Sequence, residues 1–296
     1  MNSSLYKQAQ LKHLCAIIGC QPYEVEHITS HIDDYYKEWF EKKVNKVTGD
    51  FKKYKDGTVK ERAIRPSLKR LKIIQSSIKN KILVPISLSD NIHGGVKRRS
   101  NITNAKPHQG NKYQFTTDLQ DFYPSIKHKQ VYHTFLLLGY SDHKAHWLTK
   151  LTTWKYELPQ GTPTSPHIAN LVFLETDKKL ISLCRQNNLT YTRYVDDLTF
   201  SSQQDFKPIL NNILEIIKEG GFNINFRKTK YMGNQTVTGI NLFLHCIDAP
   251  EKIKVKAEAE IMTNSKLKPY SNYLQRIRGT NKNMLKERQP IIKGTS

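Results

Sequence analysis

Leu189-Thr190-Tyr191-Thr192-Arg193-Tyr194-Val195-Asp196-Asp197-Leu198-Thr199-Phe200 is the stretch on which the reading turns. Most of its residues are β-branched, aromatic or aliphatic, the composition of a strand. Two adjacent carboxylates interrupt it. Asp favours turns because its side chain bonds nearby backbone, so the pattern predicts a hairpin with Asp196 and Asp197 at its tip. Two like charges at one tip repel unless a positive charge sits between them. A divalent metal supplies that charge, and paired metals held by carboxylates are how polymerases and nucleases carry an in-line phosphoryl displacement. Taken by itself, the doublet is read more plainly as a solvated Asp-Asp turn.

A second carboxylate, Asp118, ends the β-prone run from Tyr113 to Thr117 and precedes Leu119-Gln-Asp-Phe-Tyr-Pro-Ser-Ile126. If the two strands are sheet neighbours, Asp118 meets the Asp196–Asp197 turn. Three carboxylates then surround two Mg²⁺ ions, which keep some water and take phosphate oxygens as further ligands. Asp121 has no such case and reads as a local structural residue. The third piece is Leu158-Pro-Gln-Gly-Thr-Pro-Thr-Ser-Pro166, a stiff loop leading into a helix. Its Gln160 offers both a donor and an acceptor to a sugar or base.

Elsewhere, residues 1–40 read as helical. Phe51 to Ile64 is basic and carries the turn Lys55-Asp56-Gly57-Thr58, which predicts a β-hairpin. A helix opens after Pro66-Ser67, with Leu71, Ile74, Ile78 and Ile82 at helical spacing. His93 to Ser100 is a basic loop containing glycine. Helices are expected over about 128–138 and 142–153, a long one from Pro166 to about Cys184, and an amphipathic one ending at Gly220-Gly221. Short strands follow near 229–232, 236–240 and 242–246. From Ala249 the chain is polar, basic and helical in part. Strands and helices mix without strict alternation, which points to α+β.

The chain has 296 residues, 38% hydrophobic and 25% charged, too apolar for a disordered chain. Its net charge of +21 calls for a polyanionic partner, nucleic acid by default. An anionic membrane surface is the competing reading, but no apolar run is long enough to span a bilayer. The N-terminus lacks the plan of a secretion signal. Cys15, Cys20, Cys184 and Cys246 show neither metal-ligand spacing nor a disulfide framework, so reduced thiols in a cytosolic protein are expected.

Phe115-x-x-Asp118-Leu-x-x-Phe-Tyr-Pro-Ser-Ile, Leu158-Pro-Gln-Gly and Tyr194-Val-Asp-Asp stand in the order and approximate spacing of reverse-transcriptase motifs. Over roughly residues 50–246 the chain resembles a reverse transcriptase. Asn104-Ala105-Lys-Pro-His108 resembles the Asn-Ala-x-x-His signature of retron reverse transcriptases, and Val237-Thr238-Gly239 their Val-Thr-Gly signature. Each string alone is weak; both in the correct intervals make a joint signal for the retron type.

The resemblance implies a right-hand polymerase. Its N-terminal helices and fingers would cover 1–112, its palm 113–246 with part of the fingers inserted at about 127–160, and a short basic thumb 247–296. Asp118, Asp196 and Asp197 match the ligands of two Mg²⁺. Tyr123 matches the ring beneath the incoming sugar that excludes a 2′-hydroxyl, and Gln160 a residue lining the nucleotide pocket. Lys228 matches the proton donor to pyrophosphate, with Arg227 and Lys230 as alternatives. Arg62 and Lys55 match positions that hold the triphosphate of a deoxynucleotide. Asn104, Ala105, His108, Val237, Thr238 and Gly239 are the implied elements of RNA recognition and priming. His108 itself either bonds a ribose hydroxyl or phosphate or ties a loop to the fingers. Tyr270, Tyr273 and the basic residues Lys266, Lys268, Arg276, Arg278, Lys282, Lys286 and Arg288 fit an RNA-contacting thumb. One departure from the family pattern is His93-Gly94-Gly95, with glycine where an aromatic is common.

The family further implies a bacterial, cytoplasmic enzyme that copies part of its own structured noncoding RNA into single-stranded DNA (msDNA). Priming would come from the 2′-hydroxyl of a guanosine, host ribonuclease H would remove template, and a nearby effector protein would act with the enzyme in defence against phage. Rival readings are another reverse-transcriptase lineage priming from a 3′-end, a non-polymerising RNA-binding protein, and a metal-dependent nuclease.

Overall fold

The Asp doublet does lie at the end of a hairpin. In the computed structural model, which describes residues 3–44, 50–54, 56–233, 236–264 and 266–287, strands Thr190–Tyr194 and Asp197–Ser202 pair antiparallel with Tyr194 opposite Asp197. Only Val195 and Asp196 separate them.

In chain order the elements are α1 (Ser3–Ile18), α2 (Pro22–Ser30), β1 (Trp39–Lys42), β2 (Glu61–Ile64), α3 (Lys69–Ile78), α4 (Asn101–Ala105), β3 (Tyr113–Asp118) and α5 (Phe122–Ser125). Then come α6 (His128–Leu137), α7 (Asp142–Thr152), α8 (Ser165–Val172), α9 (Leu174–Gln186), β4 (Thr190–Tyr194), β5 (Asp197–Ser202) and α10 (Leu210–Glu219). The last are β6 (Lys230–Gly233), β7 (Thr236–Val237), β8 (Ile240–Leu242), β9 (Ile247–Asp248), α11 (Glu251–Met262) and α12 (Pro269–Glu287). Helices mix with antiparallel sheets, so the α+β expectation holds.

The chain divides into two compact units, one of residues 1–88 and 121–175, the other of 89–120 and 176–296. In the first, the apolar stripe of α3 buries Leu71, Ile74 and Ile78. Gln75 from the same helix is also buried; it accepts from Ser67 Oγ at 2.6 Å and donates to Tyr36 Oη at 3.0 Å and Leu151 O at 2.8 Å. Those partners satisfy an amide that would otherwise be costly to bury. Arg65 bridges Glu38 and Glu157, and its backbone N–H donates to Gln160 O at 2.7 Å. The Leu-Pro-Gln-Gly loop is held further by Ser165 Oγ, which donates to Pro159 O at 2.6 Å.

In the second unit a four-stranded antiparallel sheet runs β4-β5-β3-β6, and a smaller one runs β7-β8-β9. Tyr191 and Phe200 stack at 4.7 Å, and Phe115 lies 5.9 Å from Phe200. These rings sit in the core with Leu180, Ile213 and Ile217. The smaller sheet shares a cluster with α4 and α12, in which Ile102, Ala105, Val237, Ile240, Ile247 and Ile277 are buried.

Several expectations are corrected. The helical reading of residues 1–40 stops at Tyr35, and β1 begins at Trp39. β2 pairs with β1, not with the other half of the predicted 51–64 hairpin, although a bridge between Lys53 and Val59 keeps a local turn there. The long helix from Pro166 is two helices broken at Phe173, whose buried ring meets Phe122 edge-on at 5.9 Å. The strand expected over 242–246 is β9, at Ile247–Asp248. Residues 89–112 group with the second unit, where α4 and the turn after it lie against β4, β5 and β8.

Candidate active site

β3 and β5 are sheet neighbours, and their register sets Asp118 directly opposite Asp197. Directly opposed residues of an antiparallel pair have Cβ atoms about 4.5–5.5 Å apart and project to the same face, so the two carboxylates share one small volume. Backbone bonds fasten the third, Asp196, and Asp118 itself. Leu119 N–H donates to Asp196 O at 2.8 Å, and Asn225 N–H donates to Asp118 O at 2.8 Å.

Electrostatically the cluster wants a cation. Burial, reinforced by the charges of Asp196 and Asp118, pushes the Asp197 carboxyl up to about 7 despite nearby Lys228. Lys228 answers part of this demand: its Nζ donates to Asp118 Oδ2 at 2.6 Å. It arrives there on the short turn Phe226–Lys228. Among the described residues, no group of three or more His, Cys, Asp or Glu side chains is gathered so as to hold a metal ion as the side chains stand. The donor set nonetheless fits Mg²⁺, because its oxygens are hard, anionic and in mutual repulsion. A divalent ion would do for Asp197 what Lys228 does for Asp118.

Next to the acids lies a cavity of about 640 Å³ lined by Thr116, Thr117, Asp118, Asp197, Arg227, Lys228, Lys230, Thr236 and Thr238. Acids, lysines, an arginine and hydroxyls suit a ligand that carries both phosphate and sugar. Sequence reasoning named Asp118, Asp197, Lys228 and Thr238 of these, with Arg227 and Lys230 as alternatives to Lys228. It missed Thr116, although the period-two alternation of β3 puts that residue on the face of Asp118.

Behind the tip, Val195 has a φ of +61°, a left-handed conformation that a β-branched residue rarely adopts. Gly94 lies against it. A Cβ on Gly94 would fall 2.3 Å from Val195 N and 2.5 Å from its Cγ2. That contact explains the glycine noted as a departure from the family pattern.

The two retron-like strings meet. Asn104 Nδ2 donates to Thr238 Oγ1 at 3.4 Å, and Asn101 Nδ2 to Thr238 O at 3.2 Å and Tyr273 Oη at 2.6 Å. Thr238 and Gly239 form the two-residue turn between β7 and β8, with φ of 45° and 80°. Asn104, Ala105, His108 and Val237 are buried. His108 Nδ1 lies 2.6 Å from Ser201 Oγ and Nε2 2.8 Å from Thr192 Oγ1. Thr192 Oγ1 in turn donates to Asn104 O, and Asn111 Nδ2 donates to Ser201 Oγ. The network closes with a neutral, Nε2-protonated imidazole. His108 therefore ties the loop to β4 and β5, the hairpin that carries Asp196 and Asp197. In the second string Thr238 is half-buried and Gly239 exposed; in the first, Lys106 is half-buried and Pro107 exposed, between the buried Asn104-Ala105 and His108.

This clamp carries a pH prediction. Burial, with the neighbouring His93, pushes His108 down to about 3, and burial with the charge of Arg99 pushes His93 down to about 4. Both fall below the unfolded value of about 6.5. Under acid the unfolded chain thus binds protons that the fold refuses. Their stabilising contribution is complete above about pH 6.5 and is lost as pH falls toward 4 and 3, by up to about 1.4 kcal/mol per pH unit per group. Thermal unfolding from pH 7.5 to pH 5 should show Tm falling, with a shallower slope for His108→Gln. Equal slopes would contradict the assignment.

Tyr123, Gln160 and Arg62 lie in the first unit. Tyr123 is on α5 and half-buried, Gln160 is in the tight loop, and Arg62 on β2 pairs with Glu41 across the strands at 3.5 Å. Lys55 and Arg288 lie outside the described residues, as do the side chains of Lys282 and Lys286. Tyr273 packs against the cluster shared by α4 and α12 rather than standing free.

A family model for reverse transcriptase (RNA-dependent DNA polymerase) matches residues 52–242. Retron Ec86 reverse transcriptase of Escherichia coli is 36% identical over 184 residues, covering 60% of this chain and 58% of that protein. Retron Mx65 reverse transcriptase of Myxococcus xanthus is 33% identical over 206 residues, covering 61% and 48%. Retron Ec73 reverse transcriptase of Escherichia coli is 31% identical over 224 residues, covering 67% and 71%. The chain thus spans about half the length of the first two of these relatives. With the three motif aspartates drawn to one end of one sheet, this chain belongs to the retron-type reverse transcriptases.

Proposed function

We propose that the chain is the RNA-directed DNA polymerase of a retron, copying part of a cognate structured noncoding RNA into msDNA. The observation that carries this is the register placing Asp118 opposite Asp197, with Asp196 in the adjoining turn. Held by these acids, two Mg²⁺ would lower the pKa of the priming hydroxyl and stabilise the leaving pyrophosphate. The 2′-oxygen of a guanosine attacks the α-phosphorus of a deoxynucleotide, and the bond from that phosphorus to the bridging oxygen breaks. Lys228, already on Asp118, is placed to hand a proton to the departing pyrophosphate. Tyr123, Gln160, Arg62 and Lys55 act on the incoming nucleotide. Thr238 and Gly239 offer a solvent-facing part of the retron strings to RNA, and the buried part holds that turn and the hairpin in place.

In this reading the first unit contains the fingers, the four-stranded sheet belongs to the palm, and α11 and α12 belong to the thumb. Lys266, Lys268, Arg276 and Arg278 grip RNA phosphates there. Host ribonuclease H and an effector protein complete a bacterial, cytoplasmic defence system. No helix among the described residues is long and apolar enough to cross a membrane.

The test is the product junction. When the chain is expressed with its flanking genomic DNA, extracted nucleic acid should contain a short single-stranded DNA joined 2′–5′ to RNA, whose mobility shifts on debranching. A product extended only from a 3′-end would instead favour another reverse-transcriptase lineage. RNA binding without any DNA would favour a non-polymerising role.

A further inference from the structure

A buried ion pair stands directly behind the catalytic turn. Arg193 and Asp177 are both 0% exposed. Arg193 donates from Nε to Asp177 Oδ1 at 3.0 Å and from Nη2 to Asp177 Oδ2 at 2.6 Å. A further donor, Nη1, reaches forward to Val195 O at 2.8 Å. Tyr191 Oη donates to Asp177 Oδ1 at 2.7 Å, a second donor on the oxygen that Arg193 Nε binds. The backbone of Arg193 is held as well: its N–H donates to Asn91 O, and its carbonyl accepts from His93 N–H, both at 2.8 Å.

Two features make this more than a core salt bridge. Burying a charge pair is a poor route to stability, since apolar residues of similar volume commonly serve as well. What the pair does supply is direction. A planar guanidinium presents donors in a rigid fork, so two of them can engage Asp177 while a third points at a fixed place. That place is the carbonyl of the one residue in the turn with a left-handed backbone, Val195. Strain of this kind persists only where the surroundings over-determine it. Asp196 is the next residue and Asp197 the one after.

We propose that Arg193 is a positioning residue for the metal-binding carboxylates: neutralised by Asp177, it fixes the Val195 carbonyl and thereby holds Asp196 and Asp197 in their aim. This rests on the reading of Asp118, Asp196 and Asp197 as metal ligands. Gly94 prevents the turn from moving back, and Arg193 prevents its peptide from flipping.

The test compares the RNA-loaded wild-type chain with Arg193→Met/Asp177→Asn, which removes both buried charges yet leaves an acceptor for Tyr191. The readouts are Tm, RNA affinity, Mn²⁺ binding by electron paramagnetic resonance without nucleotide, and kcat and KM for a deoxynucleotide. Expected are a Tm and RNA affinity near wild type, Mn²⁺ binding weakened about tenfold, and kcat down about 50-fold or more with KM within about threefold, the scale of a small misplacement of reacting groups. Adding Val195→Gly to the double variant should recover at least about tenfold of the lost rate, because glycine holds a positive φ without strain and needs no brace.

Wild-type Mn²⁺ binding and kcat in the double variant would overturn the proposal. So would a loss that follows Tm alone and is not recovered by Val195→Gly. Should the double variant fail to fold, Arg193→Lys keeps the charge and loses the fork, and the same Mn²⁺ and rescue readouts decide. A wild-type chain that binds Mn²⁺ at these acids yet makes no DNA would count against the polymerase reading and leave the positioning claim to stand on metal binding.

Discussion

Asp197→Asn should reduce DNA synthesis by at least about a thousandfold, equivalent to about 4 kcal/mol of transition-state stabilisation, while RNA binding changes little. The substitution keeps the shape of the side chain and removes the anionic oxygen that a metal requires. Loss of a metal from an in-line displacement costs several kcal/mol, since both the attacking and the leaving oxygen lose their partner. RNA affinity, by contrast, is expected from the proposed basic surface, and removing one negative charge can only favour a polyanion.

The same variant should be more heat-stable than wild type in metal-free buffer. Asp197 is pushed up to about 7 by burial and by the charges of Asp196 and Asp118. A carboxyl raised above its unfolded value destabilises the fold once pH exceeds that unfolded value, because the unfolded chain ionises it more readily. At pH 8 the wild-type fold therefore carries an unfavourable charge that asparagine lacks. A rise in Tm together with lost synthesis separates chemistry from misfolding. A fall in Tm, or synthesis within about tenfold of wild type, would contradict the assignment.

Gly94→Ala should be the second most damaging change, although it only adds a methyl group. The new Cβ would meet backbone, Val195 N at 2.3 Å and Tyr194 C at 2.9 Å, and backbone has no flexible end to swing away. Either the 93–95 loop or the catalytic turn must move. His93 N–H is bound to Arg193 O, so displacing the loop also pulls on β4. A shift of about 1 Å at a reacting group costs about a hundredfold in rate, and the overpacking costs about 1–3 kcal/mol in stability. The expected outcome is a loss of kcat of about a hundredfold or more, with RNA retained. Gly279→Ala is the control. It lies in α12 with open space where a Cβ would go, and alanine there should stabilise the helix by about 0.5–1 kcal/mol. Equal effects of the two substitutions would show that the contact at Val195 does not matter.

The Asp196–Asp197 hairpin was legible in the sequence because it is local: a β-prone run, a charged doublet and more β-prone residues leave little choice. The partnership of Asp118 with Asp197 was legible only as a condition, since strand register depends on long-range pairing that no short string encodes. β1 escaped notice for a related reason. All four of its residues are exposed, so it carries no alternation. The retron-like strings were readable as strings but not as structure. Nothing in Asn-Ala-x-x-His says that its histidine will be buried beneath Thr192 and Ser201, 84 and 93 residues away. The buttress of Gly94 on Val195 and the brace of Arg193 on Asp177 are likewise products of tertiary placement.

Whether these three aspartates hold metal is decided by locating Mn²⁺ through its anomalous scattering in crystals of the RNA-bound protein with a non-hydrolysable deoxynucleotide. Two ions are expected, both against Asp118 and the Asp196–Asp197 pair, with Lys228 withdrawn from Asp118. Ions bound elsewhere, or Lys228 still seated on Asp118 with no metal beside it, would contradict that expectation.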